Sequence, residues 1–174
     1  MSQELTRFLT LFDALAVACN AWMARTPAEK LEWVPVENPN MKFGDRISTI
    51  NIKSVYVHTI VGEQRWAALL GNCVDGAVLK PSPDPETTTR LMESNDVVRD
   101  AMEIHRSNME RFSTLDTAQL EKRIQWSGRD WTVMGFLWGI YCHRAYHLGN
   151  IDIYLREADE PAPDFFSNFQ QVMA

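Results

Sequence analysis

The sequence predicts an all-α fold, a four-helix bundle formed by a single domain over residues 1–174. Apolar residues recur at three- and four-residue steps along four long segments, the pattern of helices that bury one face. The connection between the second and third segments is long and rich in proline, and a long crossover allows neighbouring helices to run parallel. A chain of 174 residues can also bury one core without disulfides.

The first half of the chain is predicted as two long helices separated by a short helix and a loop. Residues 5–23 keep an unbroken apolar pattern that Thr26 and Pro27 end. A short helix near residues 27–33 follows, with Thr26 as its N-cap and Pro27 at its first helical position. The segment from Asp45 to Gly71 is rich in β-branched residues, but it is too long for one strand and is therefore predicted as helix.

The second half is predicted as a crossover with Thr87, Thr88 and Thr89 as caps, followed by a third helix that ends near Ser113. A short helix, a loop, a fourth helix and a loosely packed tail complete the chain, over residues 116–124, 125–130, 131–157 and 158–174.

His143 and His147 lie four residues apart on the core-facing stripe of the fourth predicted helix. Both imidazoles therefore project from one face, one turn apart, which is the spacing of metal ligands. A buried imidazole needs a polar partner, and a divalent cation would serve both rings at once. A core histidine that bonds a carbonyl group is the alternative. His58 lies in the middle of the apolar face of the second helix, and bundles build metal sites from facing helices.

Composition excludes several classes of function. The net charge is −6, and the scattered basic residues are not those of a nucleic-acid-binding protein. The apolar run of residues 9–24 is too short for a membrane span and carries Asp13, so it is predicted as a soluble helix. Three cysteines without CxxC spacing indicate a reducing, cytoplasmic location rather than a disulfide framework.

Other metal-dependent classes fit the sequence poorly. A zincin protease requires a glutamate after its first histidine, and Arg144 occupies that position. Di-iron bundles require Glu-x-x-His pairs, which no histidine of this chain completes.

Several further polar residues are candidates for the site. His105 also lies on an apolar stripe. It could be a metal ligand, a group that supports a ligand, or an ordinary core histidine. Asn51 and Asn150 are spaced so that either could orient an imidazole, or be an ordinary surface amide. Cys142 points about 100° away from His143 and is assigned to packing rather than ligation. Spacing selects no general base among the acid–base candidates, which are Glu63, Asp152, Tyr56 and Tyr146.

Three segments carry a resemblance to a known family: PAEKLEWVPV, SVYVHTIVGEQRW around His58, and DWTVMGFLWGIYCHRAYHLGNIDIYL around His143 and His147. The chain resembles the DinB-like family of metal-binding four-helix bundles over most of its length. The resemblance implies an up-down-down-up bundle, a homodimer, and one divalent metal ion, nickel or zinc, held by the three histidines. Many relatives have a second histidine where this chain has Tyr146.

The resemblance also implies chemistry on a small-molecule substrate, because the family includes transferases and isomerases that use a low-molecular-weight thiol. Three imidazoles leave a coordination position open, as in catalytic zinc sites. We therefore expect a metal-dependent transferase, isomerase or hydrolase. A metal- or ligand-binding module without turnover, and a bundle whose histidines are structural remnants, stay open as alternatives. An aromatic patch on the fourth helix is the predicted dimer interface and comprises Trp131, Trp138 and Tyr141.

Overall fold

The computed structural model describes residues 2–34, 50–80 and 82–161, and within these ranges the chain forms seven helices and three short strands. In chain order they are α1 Gln3–Arg25, α2 Ala28–Leu31, α3 Ile52–Gly71, β1 Ala77–Val78, α4 Pro85–Met92, α5 Val97–Ser113, α6 Thr117–Glu121, β2 Arg123–Trp126, β3 Arg129–Thr132 and α7 Val133–Glu157.

The four long helices α1, α3, α5 and α7 form the predicted bundle. α1 and α3 each pack against both α5 and α7, so α1 and α3 lie diagonally opposite each other. One apolar cluster joins the C-terminal halves of α1 and α7 to the N-terminal halves of α3 and α5. A second cluster joins the opposite halves. The helices therefore run up-down-down-up, with α3 parallel to α5, and the predicted topology is confirmed.

The second long helix begins later than predicted, at Ile52 instead of Asp45. Asn51 is its N-cap: the side-chain oxygen accepts a hydrogen bond from the Ser54 N–H at 2.7 Å, and the Ser54 hydroxyl oxygen accepts one from the Asn51 N–H at 2.9 Å. This capping box satisfies N–H groups that have no helical partner, so it fixes the N-terminal start of α3 at this position. Residues 45–49 lie outside the described residues.

The predicted third helix is interrupted and forms α4 and α5. α4 is capped by Asp84, which accepts a hydrogen bond from the Thr87 N–H at 3.0 Å, and not by the threonines 87–89. Asp96 accepts one from the Arg99 N–H, also at 3.0 Å, and starts α5. An aspartate at an N-cap competes well with helix continuation, because its side chain accepts a hydrogen bond from an N–H group of the first turn.

The predicted loop over residues 125–130 is a β-hairpin, and the helix boundaries beside it were wrong. β2 pairs antiparallel with β3, while β1, within the crossover, pairs parallel with β2. Ser127 and Gly128 form the two-residue turn, with φ of 51° and 72°. Both central residues of such a turn need positive φ, which glycine adopts without strain. α6 therefore stops at Glu121, and α7 begins at Val133.

The predicted short helix near residues 27–33 is confirmed, although it is only four residues long. Thr26 is the C-cap of α1, and Pro27 takes the N-cap position of α2 without a side-chain cap. Only the first residues of the predicted tail, through Pro161, are described; the remainder of 158–174 lies outside the described residues. In the described ranges no helix has both the length and the apolarity needed to cross a membrane.

Candidate metal centre

The three predicted histidines converge between α3 and α7. His143 Nε2 lies 3.2 Å from His58 Nε2 and 3.2 Å from His147 Nε2. Each residue directs one ring nitrogen to a common point, and these atoms all lie within 4.8 Å of one another. The one-turn spacing on α7 and the antiparallel approach of α3 therefore bring together the three histidines expected from the sequence.

Two of the three separations between the ligand nitrogens fit a tetrahedral metal ion. Two nitrogens bound to one zinc ion at tetrahedral angles are separated by about 3.3 Å, because each Zn–N bond is about 2.0–2.1 Å long. The two 3.2 Å separations agree with this value. A neutral imidazole carries only one N–H, so mutual hydrogen bonds explain three converging Nε2 atoms less simply than a shared cation. The donor set therefore fits a divalent metal ion such as zinc or nickel.

The surroundings of the two α7 histidines favour neutral imidazoles, which metal ligation requires. Burial, reinforced by His147, His58 and Arg144, lowers the pKa of His143 to about 3. Burial also lowers the pKa of His147, against an interaction with the Asn150 side chain that raises it. At neutral pH the lone pairs of both α7 ligands are therefore available.

Asn150 and Asn51, the two amides considered as supports, differ in role. Asn150 lies one turn further along α7 and interacts with the His147 imidazole in a way that raises its pKa, so it is placed to influence the orientation of that ring. Asn51 has both ends of its amide engaged away from His58. Its oxygen caps α3 through Ser54, and its nitrogen donates to Glu32 Oε2 at 2.9 Å. The role considered for Asn51 as a support of His58 is therefore wrong.

A buried ion pair links the two helices that carry the ligands. Arg144, next to His143, donates from Nε to Glu63 Oε1 at 2.7 Å and from Nη2 to Glu63 Oε2. Both side chains are 1% exposed. The bidentate geometry fixes the register of α7 against α3, on which the meeting of the three imidazoles depends. Glu63, a candidate acid–base group from the sequence, is thus engaged in this pair.

An aromatic wall closes one side of the histidine group. Trp66 on α3 meets His143 edge to face, with ring centroids 4.9 Å apart. Trp66 also contacts Trp126 of the hairpin at 5.9 Å and Phe136 of α7 at 5.8 Å. Tyr146, which is exposed, packs its ring 5.1 Å from the ring of His147. These rings limit the directions from which solvent reaches the ligands.

A cavity of about 580 Å³ opens beside His58, between α3, the start of α4 and the hairpin. This volume is within the usual range for a small-molecule site, roughly 300–1,000 Å³. Its walls combine apolar side chains, among them Val61 and Leu69, with the charged residues Arg65 and Lys80. Sequence reasoning did not find the cavity, because three separate segments build it.

The remaining candidates from the sequence lie away from the three-histidine group. His105 Nε2 lies 3.0 Å from Asp13 Oδ1, between α5 and α1. Cys142 is exposed, so its predicted packing role is wrong, although it is also absent from the metal-ligand group. Tyr56 donates to Asn20 in the core, where burial raises its pKa. Asp152 pairs with Arg156 at the surface.

The three aromatic residues assigned to a dimer interface also contact the chain's own core. Trp138 donates from Nε1 to Glu4 at 3.0 Å and packs on Phe8, with ring centroids 5.6 Å apart. Trp131 packs on Phe136. Trp131, Trp138 and Tyr141 are only partly buried against the second apolar cluster. The homodimer therefore stays a prediction.

Comparisons with known proteins agree with the fold. The chain is similar to YfiT from Bacillus subtilis, whose solved structure is described as "a probable metal-dependent hydrolase with an unusual four-helix bundle topology". The two chains share 12% identity at a TM-score of 0.63, over 92% of this chain and 91% of YfiT. No curated protein matches the sequence. The sequence profile of the DinB family matches residues 1–170. The chain therefore belongs to the DinB family.

Proposed function

We propose that the protein is a divalent-metal-dependent enzyme that acts on a small molecule, with His58, His143 and His147 as the ligands of nickel or zinc. The observation that carries this proposal is the convergence of three imidazole nitrogens at metal-ligand spacing beside a cavity of about 580 Å³. Three protein ligands leave one tetrahedral position for water or substrate, which is the arrangement of catalytic zinc sites.

The chain's own residues would hold and shape this centre. A bound cation would supply a Lewis acid that lowers the pKa of a coordinated water to near neutrality, or that deprotonates a coordinated thiol outright. The neutral rings of His143 and His147 offer their lone pairs without first losing a proton. The Arg144–Glu63 pair holds the two helices in register, and Trp66 covers one side of His143.

Two reaction classes suit this centre. The first is transfer or isomerisation with a low-molecular-weight thiol as cosubstrate, which the family resemblance supports. The second is hydrolysis, supported by the description of YfiT as a metal-dependent hydrolase. The runner-up to both is a bundle that binds a metal or a ligand without turnover.

Turnover assays of metal-loaded protein separate these classes. Chlorodinitrobenzene with cysteine reports S-transfer, and nitrophenyl acetate without thiol reports hydrolysis. We expect His147→Ala to abolish the activity, while the matched control His105→Gln keeps it, because His105 pairs with Asp13 away from the metal ligands. Activity that survives His147→Ala would refute the proposal. Metal binding without turnover on either substrate class would favour the runner-up.

We also propose that the chain forms a homodimer in a cytoplasmic setting, as the family resemblance implies. Three large apolar side chains are exposed on α1 and α7 and are candidates for that interface: Val17, Tyr146 and Ile153. Light scattering at micromolar concentration tests this, and a monomer mass would contradict it.

A further inference from the structure

We propose that the cavity beside His58 selects a substrate or cosubstrate with a carboxylate at one end, which Arg65 and Lys80 bind, and its reactive atom at the other end, at the metal centre. This inference rests on the proposed function and names its substrate class. It depends on which side chains line the cavity, on their unpaired charges, and on their distance from His58.

The face of α3 sets the distance between the two ends. His58, Gly62 and Arg65 lie on the cavity side of this helix at four- and three-residue steps, and all three line the cavity. Seven residues of helix rise by roughly 10 Å, so the guanidinium and the histidine group are two turns apart. A ligand that reaches both is therefore an extended small molecule and not a single ion.

The far end of the cavity is positively charged. Arg65 donates from Nη2 to the Ser82 hydroxyl oxygen at 2.6 Å, and its buried Nε has no hydrogen-bond partner among the described residues. In residues 2–34, 50–80 and 82–161 neither Arg65 nor Lys80 forms an ion pair. An unpaired guanidinium with a buried donor favours a planar anion that accepts two hydrogen bonds, and a carboxylate does so.

Asp84 is the acidic residue that lines the same cavity, and its carboxylate is already engaged in a hydrogen bond. Its side chain accepts the hydrogen bond from the Thr87 N–H that caps α4. Two basic residues therefore face one acidic residue in the lining, and the balance favours an anionic ligand over a cationic one.

Much of the remaining lining is apolar. Trp66, Trp126 and Met92 belong to it, and Trp66 also contacts His143 of the metal centre. Gly62 lies where the cavity meets the metal centre, because a Cβ at that position would lie 3.6 Å from the Trp66 ring and 4.0 Å from His143, both ordinary contact distances. The cavity thus suits a molecule whose apolar middle separates its carboxylate from its reactive group.

The test uses cobalt-loaded full-length protein and two matched series of probes, ω-mercaptocarboxylates and ω-mercaptoalcohols of increasing chain length. A thiolate bound to cobalt gives a charge-transfer band, so each titration yields an affinity at the metal. We expect the carboxylates to bind about tenfold tighter than the alcohols at one favoured chain length, a difference of about 1.4 kcal/mol, since only the carboxylates form charge-assisted hydrogen bonds with the basic residues.

The variants assign this preference to the cavity. Arg65→Met with Lys80→Met should remove the tenfold preference and leave alcohol binding unchanged, whereas Arg129→Met, an exposed arginine outside the cavity lining, should keep it. Equal affinity of the two series, with the band present, would overturn the inference and leave the metal centre standing. Absence of the band would contradict thiol ligation at the metal. In that case simple carboxylates without a thiol are titrated against tryptophan fluorescence. Quenching that is lost in Arg65→Met would support the carboxylate site alone, and no quenching would overturn it.

Discussion

Removing one partner of the Arg144–Glu63 pair should strongly destabilise the protein. The pair is bidentate and both side chains are 1% exposed, so Arg144→Met leaves the Glu63 carboxylate in the core without its counter-charge. Glu63 must then stay ionised in apolar surroundings or take up a proton, and both cost free energy. The pair also joins the helices of the metal ligands, so a loss of register should weaken metal binding.

The expected magnitude follows from the burial of the pair. Breaking a fully buried ion pair by removing one partner costs about 3–5 kcal/mol, a large fraction of a stability of about 5–15 kcal/mol. Replacing both partners with apolar residues of similar volume removes the stranded charge, and such replacements are often close to neutral. The double variant Glu63→Leu with Arg144→Met should therefore recover most of the loss.

Urea unfolding of the metal-free single and double variants measures this coupling. Arg156→Met is the matched control on α7, because its pair with Asp152 is mostly exposed and should contribute less than about 0.5 kcal/mol. A loss below about 1 kcal/mol in Arg144→Met, or a double variant as unstable as the sum of the singles, would refute the reasoning.

Three further predictions concern single side chains. Burial lowers the pKa of His105 below its usual 6.5, so below that pH the unfolded chain binds more protons than the folded chain. The free energy of unfolding therefore falls as the solution is acidified. His105→Gln should reduce this pH dependence by up to about 1.4 kcal/mol per pH unit in urea unfolding of the metal-free protein. Gly62→Ala should stabilise α3 by up to about 1 kcal/mol in thermal unfolding, because the added methyl meets no atom closer than 3.6 Å. Asn150→Ala should weaken metal affinity by about 10- to 100-fold in competition titrations, because the His147 ring loses the neighbouring amide that interacts with it; unchanged affinity would contradict that role.

Helix periodicity predicted the parts of the site that depend on one helix at a time. His143 and His147 share a face because they are four residues apart. His58 lies on the inner face of α3 because it falls within the apolar stripe of that helix. Antiparallel packing of α3 and α7 then brings the three imidazoles together, and the four-helix architecture makes that packing expected.

The features that were missed depend on local competition or on distant contacts. Asp96 interrupts the third predicted helix because its side chain caps α5, a signal that the continuous apolar pattern concealed. Ser127-Gly128, between segments that contain β-forming residues, is a sequence feature typical of a hairpin turn, but the segment was predicted as a loop. Arg144 and Glu63 are 81 residues apart, so no local pattern pairs them.

The central claim is tested most directly by the metal content of protein purified without a polyhistidine tag, measured by mass spectrometry. The account predicts about one divalent ion per native chain, lost in each of His58→Ala, His143→Ala and His147→Ala and retained in His105→Ala. A native chain that is metal-free and takes up neither nickel nor zinc, or single-ligand variants that keep the full metal content, would contradict it.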